Sequence, residues 1–205
     1  MNGKSILLHC CCAPCAGHVQ NLLGGEYEVV SFFYNPNIHP RREYEKRLDE
    51  LRRFSRKKAF RLIEGEYDAG EWFRRVKERR FEGERSGRCR LCIAMRLERS
   101  FAKAAEESIG LVGTTLSISP HKDASMINEL GRGLSARYGI GFFEADFKKN
   151  DGFRKSLDIS RAEGFYRQNY CGCVYSRHSL YNPRHGGKPI GSADASPNHV
   201  SKNVR

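Results

Sequence analysis

The sequence predicts an α/β fold: a largely parallel sheet with helices on both faces, and a metal site at the carboxyl ends of its strands. Three observations carry this. Short β-prone runs alternate with longer stretches of helical periodicity. The early runs, Ile6-Leu7-Leu8 and Tyr27-Glu28-Val29-Val30-Ser31-Phe32-Phe33, are nearly continuous in apolar residues, as strands covered on both faces are. The richest group of reactive side chains, His9-Cys10-Cys11-Cys12-Ala13-Pro14-Cys15, comes directly after the first run, at a strand's carboxyl end.

Residues 4–8 read as a buried strand and 14–23 as a helix. Pro14 suits a first helical turn, where a missing N–H costs nothing, and Gly24-Gly25 ends the helix. Cys11 and Cys12 then lie on the strand-to-helix turn and Cys15 in the first helical turn. The positive end of that helix favours thiolates. The second strand, 27–33, runs into Tyr34-Asn35-Pro36-Asn37-Ile38-His39-Pro40, an ordered turn at a strand end. That turn is either a ligand loop or plain chain reversal, and His39 alone would mean little.

Residues 42–59 are helical, with Tyr44, Leu48 and Leu51 on one face and Arg and Lys crowding the other. A short strand at 61–64 precedes a helix around 69–79 carrying Trp72, the single tryptophan, as a core residue. After a charged loop, Cys89 and Cys92 open a helix whose apolar positions are Ile93, Leu97, Phe101 and Ala104; a spacing of three puts both thiols on one face. Residues 111–115 read as a buried strand. Its end offers Thr114 and Thr115, whose hydroxyls bind phosphate or, preferably, cap. A helix opens at His121-Lys122-Asp123, and 140–144 forms the last strand. Asp146, in the loop that follows, orients substrate, holds a metal, or is simply a solvated turn residue. Ser160 caps a last short helix. From Asn182 the chain is rich in Gly, Pro, Ser and Asn, which gives one catalytic domain over 1–181, Rossmann-like and HUP-like in three layers, and a flexible tail over 182–205.

The chain has 205 residues, is 39% hydrophobic and contains 12 Phe and 9 Tyr, enough for one sizeable core. No apolar run approaches the roughly 18 residues of a membrane span, and the N-terminus lacks a secretory pattern, so a cytoplasmic protein is expected. The formal net charge is +12; residues 41–99 alone hold 20 Lys/Arg against 12 Asp/Glu. A localised basic excess suggests a polyanion, usually nucleic acid; a surface rich in solvated charge is the plain alternative.

In a reducing compartment, eight cysteines in three clusters point to metal or redox chemistry before structural disulfides. Two separated pairs suit a structural zinc or an iron–sulfur cluster. Adjacent cysteines on a turn after a buried strand make an unusual zinc knuckle, so the cluster is preferred, with Cys11, Cys12, Cys89 and Cys92 as ligands. Cys15 is an extra candidate, and Cys10 points into the core. Cys171 and Cys173, in an extended stretch through Gly172, either ligate metal or close a small, easily reduced disulfide. The triplet spacing of radical S-adenosylmethionine chemistry is absent, as are a Walker loop, G-x-G-x-x-G and an ATP-adenylation loop.

Six motifs in order across about residues 4–180 resemble the cobalamin-independent epoxyqueuosine reductases. They are His9-x-Cys11-Cys12-Ala13-Pro14-Cys15; Tyr34 to Pro40 with Glu43-Tyr44; Cys89-x-x-Cys92 with Arg96-Leu97; Thr114-Thr115-Leu116; Ser119-Pro120-x-Lys122; and Tyr166-Arg167-Gln168-x-Tyr170-Cys171-Gly172-Cys173-x-Tyr175-Ser176. Cys10 makes a triple cysteine where the family pattern has a pair. The resemblance implies an oxidoreductase that reduces the epoxide of epoxyqueuosine, a modified tRNA anticodon wobble base, to queuosine. It implies a 4Fe–4S cluster on Cys11, Cys12, Cys89 and Cys92, room for a second single iron ion, and a redox-active Cys171–Cys173 pair. Tyr34, Asn35, Asn37 and His39 would read the base or its ring, the basic middle third would grip phosphates, and an external electron-donor protein would be required. The competing functions are an iron–sulfur-dependent tRNA sulfur-transfer enzyme and a non-catalytic, zinc-stabilised RNA-binding module.

Overall fold

β1 (Ser5–His9) is the central strand of a five-stranded, wholly parallel sheet in a computed structural model that describes residues 4–179. The other elements, in chain order, are α1 (Ala13–Leu23), β2 (Glu28–Phe33), α2 (Arg41–Lys58), β3 (Leu62–Glu64), α3 (Ala69–Val76), α4 (Gly87–Glu106), β4 (Leu111–Thr114), α5 (Ala124–Tyr138), β5 (Gly141–Phe142), α6 (Gly152–Ala162) and α7 (Val174–Ser179). Short 3-10 turns follow α3 and β4. The strand order is β3-β2-β1-β4-β5. The proposed tail, 182–205, lies outside the described residues.

The period-2 geometry of strands divides the core. Ile6, Leu8, Val29 and Phe33 point to one face, under α1, α2 and α6; Leu7, Val30, Phe32 and Val112 point to the other, under α3, α4 and α5. Both faces are covered, which is why β1 shows no polar alternation. The same alternation buries Cys10 on the first face, its thiol 3.5 Å from Ser31 Oγ, as the sequence predicts.

His9 pairs with Phe32 on one side and with Thr114 on the other. The chain winds outward from β1 to β3, then returns to lay β4 on β1's opposite edge. The carboxyl ends of β1 and β4 are therefore the topological switch point, where connections depart in opposite directions and leave a crevice.

Two expectations needed correction. The last strand is only Gly141–Phe142, shorter than 140–144, because it is an edge strand with a single neighbour and its ladder ends once Phe143 N has donated to Val112 O. Ser160 is no cap. It sits in the last turn of α6, where its hydroxyl donates to the Ser156 carbonyl at 2.7 Å.

Candidate metal centre

The site is built outward from His9. Its Nε2 lies 3.2 Å from the Tyr34 carbonyl and its Nδ1 2.9 Å from Thr114 Oγ1. A carbonyl only accepts, so the proton is on Nε2, and Nδ1 accepts from the Thr114 hydroxyl. Burial, helped by the charge of Arg96, holds His9 down to about 3, so the ring is neutral. It pins the end of β1 to the exits of β2 and β4. Thr114 also accepts from Leu116 N, so its hydroxyl serves as the expected cap.

The next residues turn into α1. Cys12 is the extended N-cap residue, and Pro14 falls in the first helical positions. The sulfurs of Cys11, Cys12 and Cys15 all lie within 4.8 Å of one another, and those of Cys11 and Cys12 are 3.7 Å apart. Hydrogen bonds from Cys12 and Cys15 hold Cys11 well below the ordinary thiol range; the resulting charge pushes Cys12 up to about 12. The trio thus shares one thiolate. Thr115 Oγ1 is 3.9 Å from the Cys11 sulfur, and Gln168 Nε2 donates to the Cys12 sulfur at 3.1 Å.

The second arm is α4. Cys92 and Cys171 both pack against the core cluster that contains Trp72, Met95 and Cys173, while Cys11 packs against the one formed by Ile93, Leu97, Leu116 and Ile127. Arg96, one turn beyond Cys92, donates through Nη2 to Asn35 Oδ1 at 2.6 Å, and Asn35 Nδ2 donates to the Cys10 carbonyl at 2.9 Å. The helix and the cysteine turn are joined through that chain of bonds. Among the described residues, Cys11, Cys12 and Cys15 are the one group of three whose ligand atoms are already gathered; Cys89 and Cys92 stand outside it.

The third arm is the loop carrying Cys171 and Cys173, both free thiols like the other six cysteines. Arg47, buried on α2, pairs with Glu43 at 2.7 Å and donates to the carbonyls of Tyr170 and Cys171. His39 N donates to the Gly172 carbonyl at 2.8 Å. A hydrogen bond from Cys173 holds Cys171 well below the usual thiol range, and the nearby Lys122 ammonium acts in the same direction. Cys173 is pushed up correspondingly.

The expected substrate-reading residues divide. Tyr34 is in the core, stacked on Phe32, and Asn35 is fully engaged by Arg96 and Cys10. Asn37 Oδ1 and His39 Nε2 are buried without a protein partner. Asp146 is half-buried and paired with Lys148 at 2.8 Å, in the loop beyond β5. Arg47, Arg96 and Gln168 were not singled out as site residues from the sequence. The available signal for the two arginines was a cation on the apolar side of an amphipathic helix: Arg47 adjoins Leu48, and Arg96 falls between Met95 and Leu97.

The donor set fits a thiophilic metal. Two thiolates on one tetrahedral metal at about 2.3 Å stand about 3.8 Å apart, close to the Cys11–Cys12 spacing, which is far too long for a disulfide. Buried polar atoms lacking partners, Asn37 Oδ1, His39 Nε2, Arg88 Nε, Arg96 Nε and Gln168 Oε1, belong to α4 and to the loops beside the cysteines. Buried polar groups normally find a partner, so these atoms are open to a ligand or to water.

Comparison with known proteins identifies a family. Residues 6–179 match the family model described as epoxyqueuosine reductase QueH. An epoxyqueuosine reductase QueH of Acinetobacter baylyi is 41% identical over 179 residues, covering 85% of this chain and 81% of the relative. The Haemophilus influenzae protein of that name is 39% identical, covering 84% and 71%. The Thermotoga maritima protein is 38% identical, covering 84% and 90%.

Proposed function

The chain belongs to the epoxyqueuosine reductase QueH family, and on that premise we propose how its residues perform the reduction of epoxyqueuosine in tRNA to queuosine. It is an oxidoreductase that works without cobalamin. The reaction takes up two electrons and two protons: both C–O bonds of the epoxide break, an alkene forms, and the oxygen leaves as water.

In this reading Cys11, Cys12, Cys89 and Cys92 hold a 4Fe–4S cluster, with Cys15 as an extra ligand that can share a second single iron. When bound, such a group supplies one-electron transfer and Lewis acidity. Cys171 and Cys173 supply the electron pair by closing a disulfide, and an external donor protein returns them to the dithiol. His39 Nε2, Asn37 Oδ1 and Gln168 Oε1 remain for the polar groups of the base and its ring; Thr115 steadies Cys11. The modified base leaves the anticodon stack to reach them. Among the described residues no helix is long and apolar enough to cross a membrane; a tRNA substrate and eight free thiols favour the reducing cytoplasm.

The observation that carries this reading is the gathering of three thiols at the switch point of a chain that matches the family over residues 6–179. The test is anaerobic incubation with epoxyqueuosine-containing tRNA and a reductant, followed by nucleoside analysis. Epoxyqueuosine must fall and queuosine rise. A colourless zinc protein that leaves the nucleoside unchanged would overturn it.

A further inference from the structure

Arg96 is a buried cation with no carboxylate partner among the described residues. It is 4% exposed, the one hydrogen bond of its guanidinium goes to the neutral amide of Asn35, its Nε has no partner, and no carboxylate among the described residues forms an ion pair with it. The equally buried Arg47 shows the usual solution, a carboxylate at 2.7 Å. A lone guanidinium cannot shed its proton, and an uncompensated buried charge is strongly destabilising. With no carboxylate paired to it, its counter-charge has to come from the sulfurs of this site.

The surroundings identify what that is. Cys92 lies one turn earlier on the same face of α4. Through Asn35 the guanidinium is tied to the carbonyl of Cys10, the residue before Cys11. His9 supplies no charge here, because it is neutral.

We propose that Arg96 is the fixed counter-charge of the iron–sulfur cluster and holds its reduction potential up. It is a positioning residue acting on the cluster through its field, and the proposal rests on the iron–sulfur reading above. Four thiolates around a 4Fe–4S core carry net negative charge, and reduction adds one more. A buried cation nearby therefore stabilises the reduced form more than the oxidised form.

The test is a dye-mediated redox titration of the anaerobically loaded full chain, followed in the visible iron–sulfur band, with iron content measured alongside. Arg96→Gln keeps a donor for Asn35 and removes the charge. It is expected to titrate at a more negative potential, and Arg96→Lys to recover most of the shift. A Gln variant with wild-type iron content and wild-type potential would overturn the proposal. If the Gln variant fails to load iron, the Lys variant decides. Loading with a near-wild-type potential upholds the charge; failure to load, or a displaced potential, overturns it. A wild-type protein that holds no cluster is a separate outcome, which sinks the iron–sulfur reading and this inference with it.

Discussion

Arg47 donates to the main-chain carbonyl of Cys171 at 3.2 Å, so a cation on α2 holds the loop that carries the C-terminal thiols. The same side chain is locked by Glu43, which also accepts from the Tyr166 hydroxyl at 3.1 Å. Arg47→Met removes one member of a buried ion pair and strands the other, at a cost of about 3–5 kcal/mol. Urea unfolding checks this. The double variant with Glu43→Met is expected to lose less than Arg47→Met alone, since no charge is left unpaired.

Gly172 has φ +104, and a Cβ there would stand 2.8 Å from Ile38 Cγ1. Gly172→Ala is expected to cost about 1–3 kcal/mol through backbone strain, before the clash with Ile38 is counted. Iron content should survive while turnover of tRNA falls, because the strain falls on the Cys171–Cys173 loop and not on the cysteine turn.

The division of the thiols gives opposite outcomes at two sites. Cys89→Ala is expected to abolish cluster loading. Cys171→Ser is expected to stay coloured and to stop after at most one turnover. Metal analysis with single- and multiple-turnover assays separates the two. Loss of all iron from Cys171→Ser would move that residue into the ligand set.

His9 gives a signed pH dependence. Its folded-state value, held down to about 3, lies below its ordinary 6.5. The unfolded chain therefore binds the extra proton first, and stability falls as pH drops from 6.5 toward 3. Between pH 6.5 and 5 the loss is about 2 kcal/mol, and His9→Asn should remove that part of the slope. Denaturant titrations at the two pH values measure it.

Phe81 is 86% exposed, with the Arg80 guanidinium 4.4 Å from its ring centre, on the loop that leads into α4. An exposed ring beside a cation suits an unstacked base, a contact worth about 1–3 kcal/mol. Phe81→Ala is expected to raise KM for tRNA several-fold and leave kcat nearly unchanged. An unaltered KM removes this loop from the tRNA interface.

Periodicity located nearly every element, because strands buried on both faces and amphipathic helices write their environments into local composition. Val29 to Phe33 could be read as a covered strand, and Ile93, Leu97 and Phe101 as one helix face, without coordinates. The edge strand β5 and the start of α6 leave weaker marks in the sequence. One has a partner on a single side; the other begins after Asp151 in a left-handed conformation, a turn that many sequences can make.

What the sequence determined alone was the alternation of strands and helices and the placing of Cys11, Cys12 and Cys15 on a strand-to-helix turn: properties of neighbouring residues and of backbone stereochemistry. Tertiary structure decided which distant side chains serve that turn. Arg96 reaches Asn35, Arg47 holds Cys171 and Gln168 reaches Cys12, because burial forces each polar group to find whatever partner the packed layers bring within reach, and no local pattern encodes that partner.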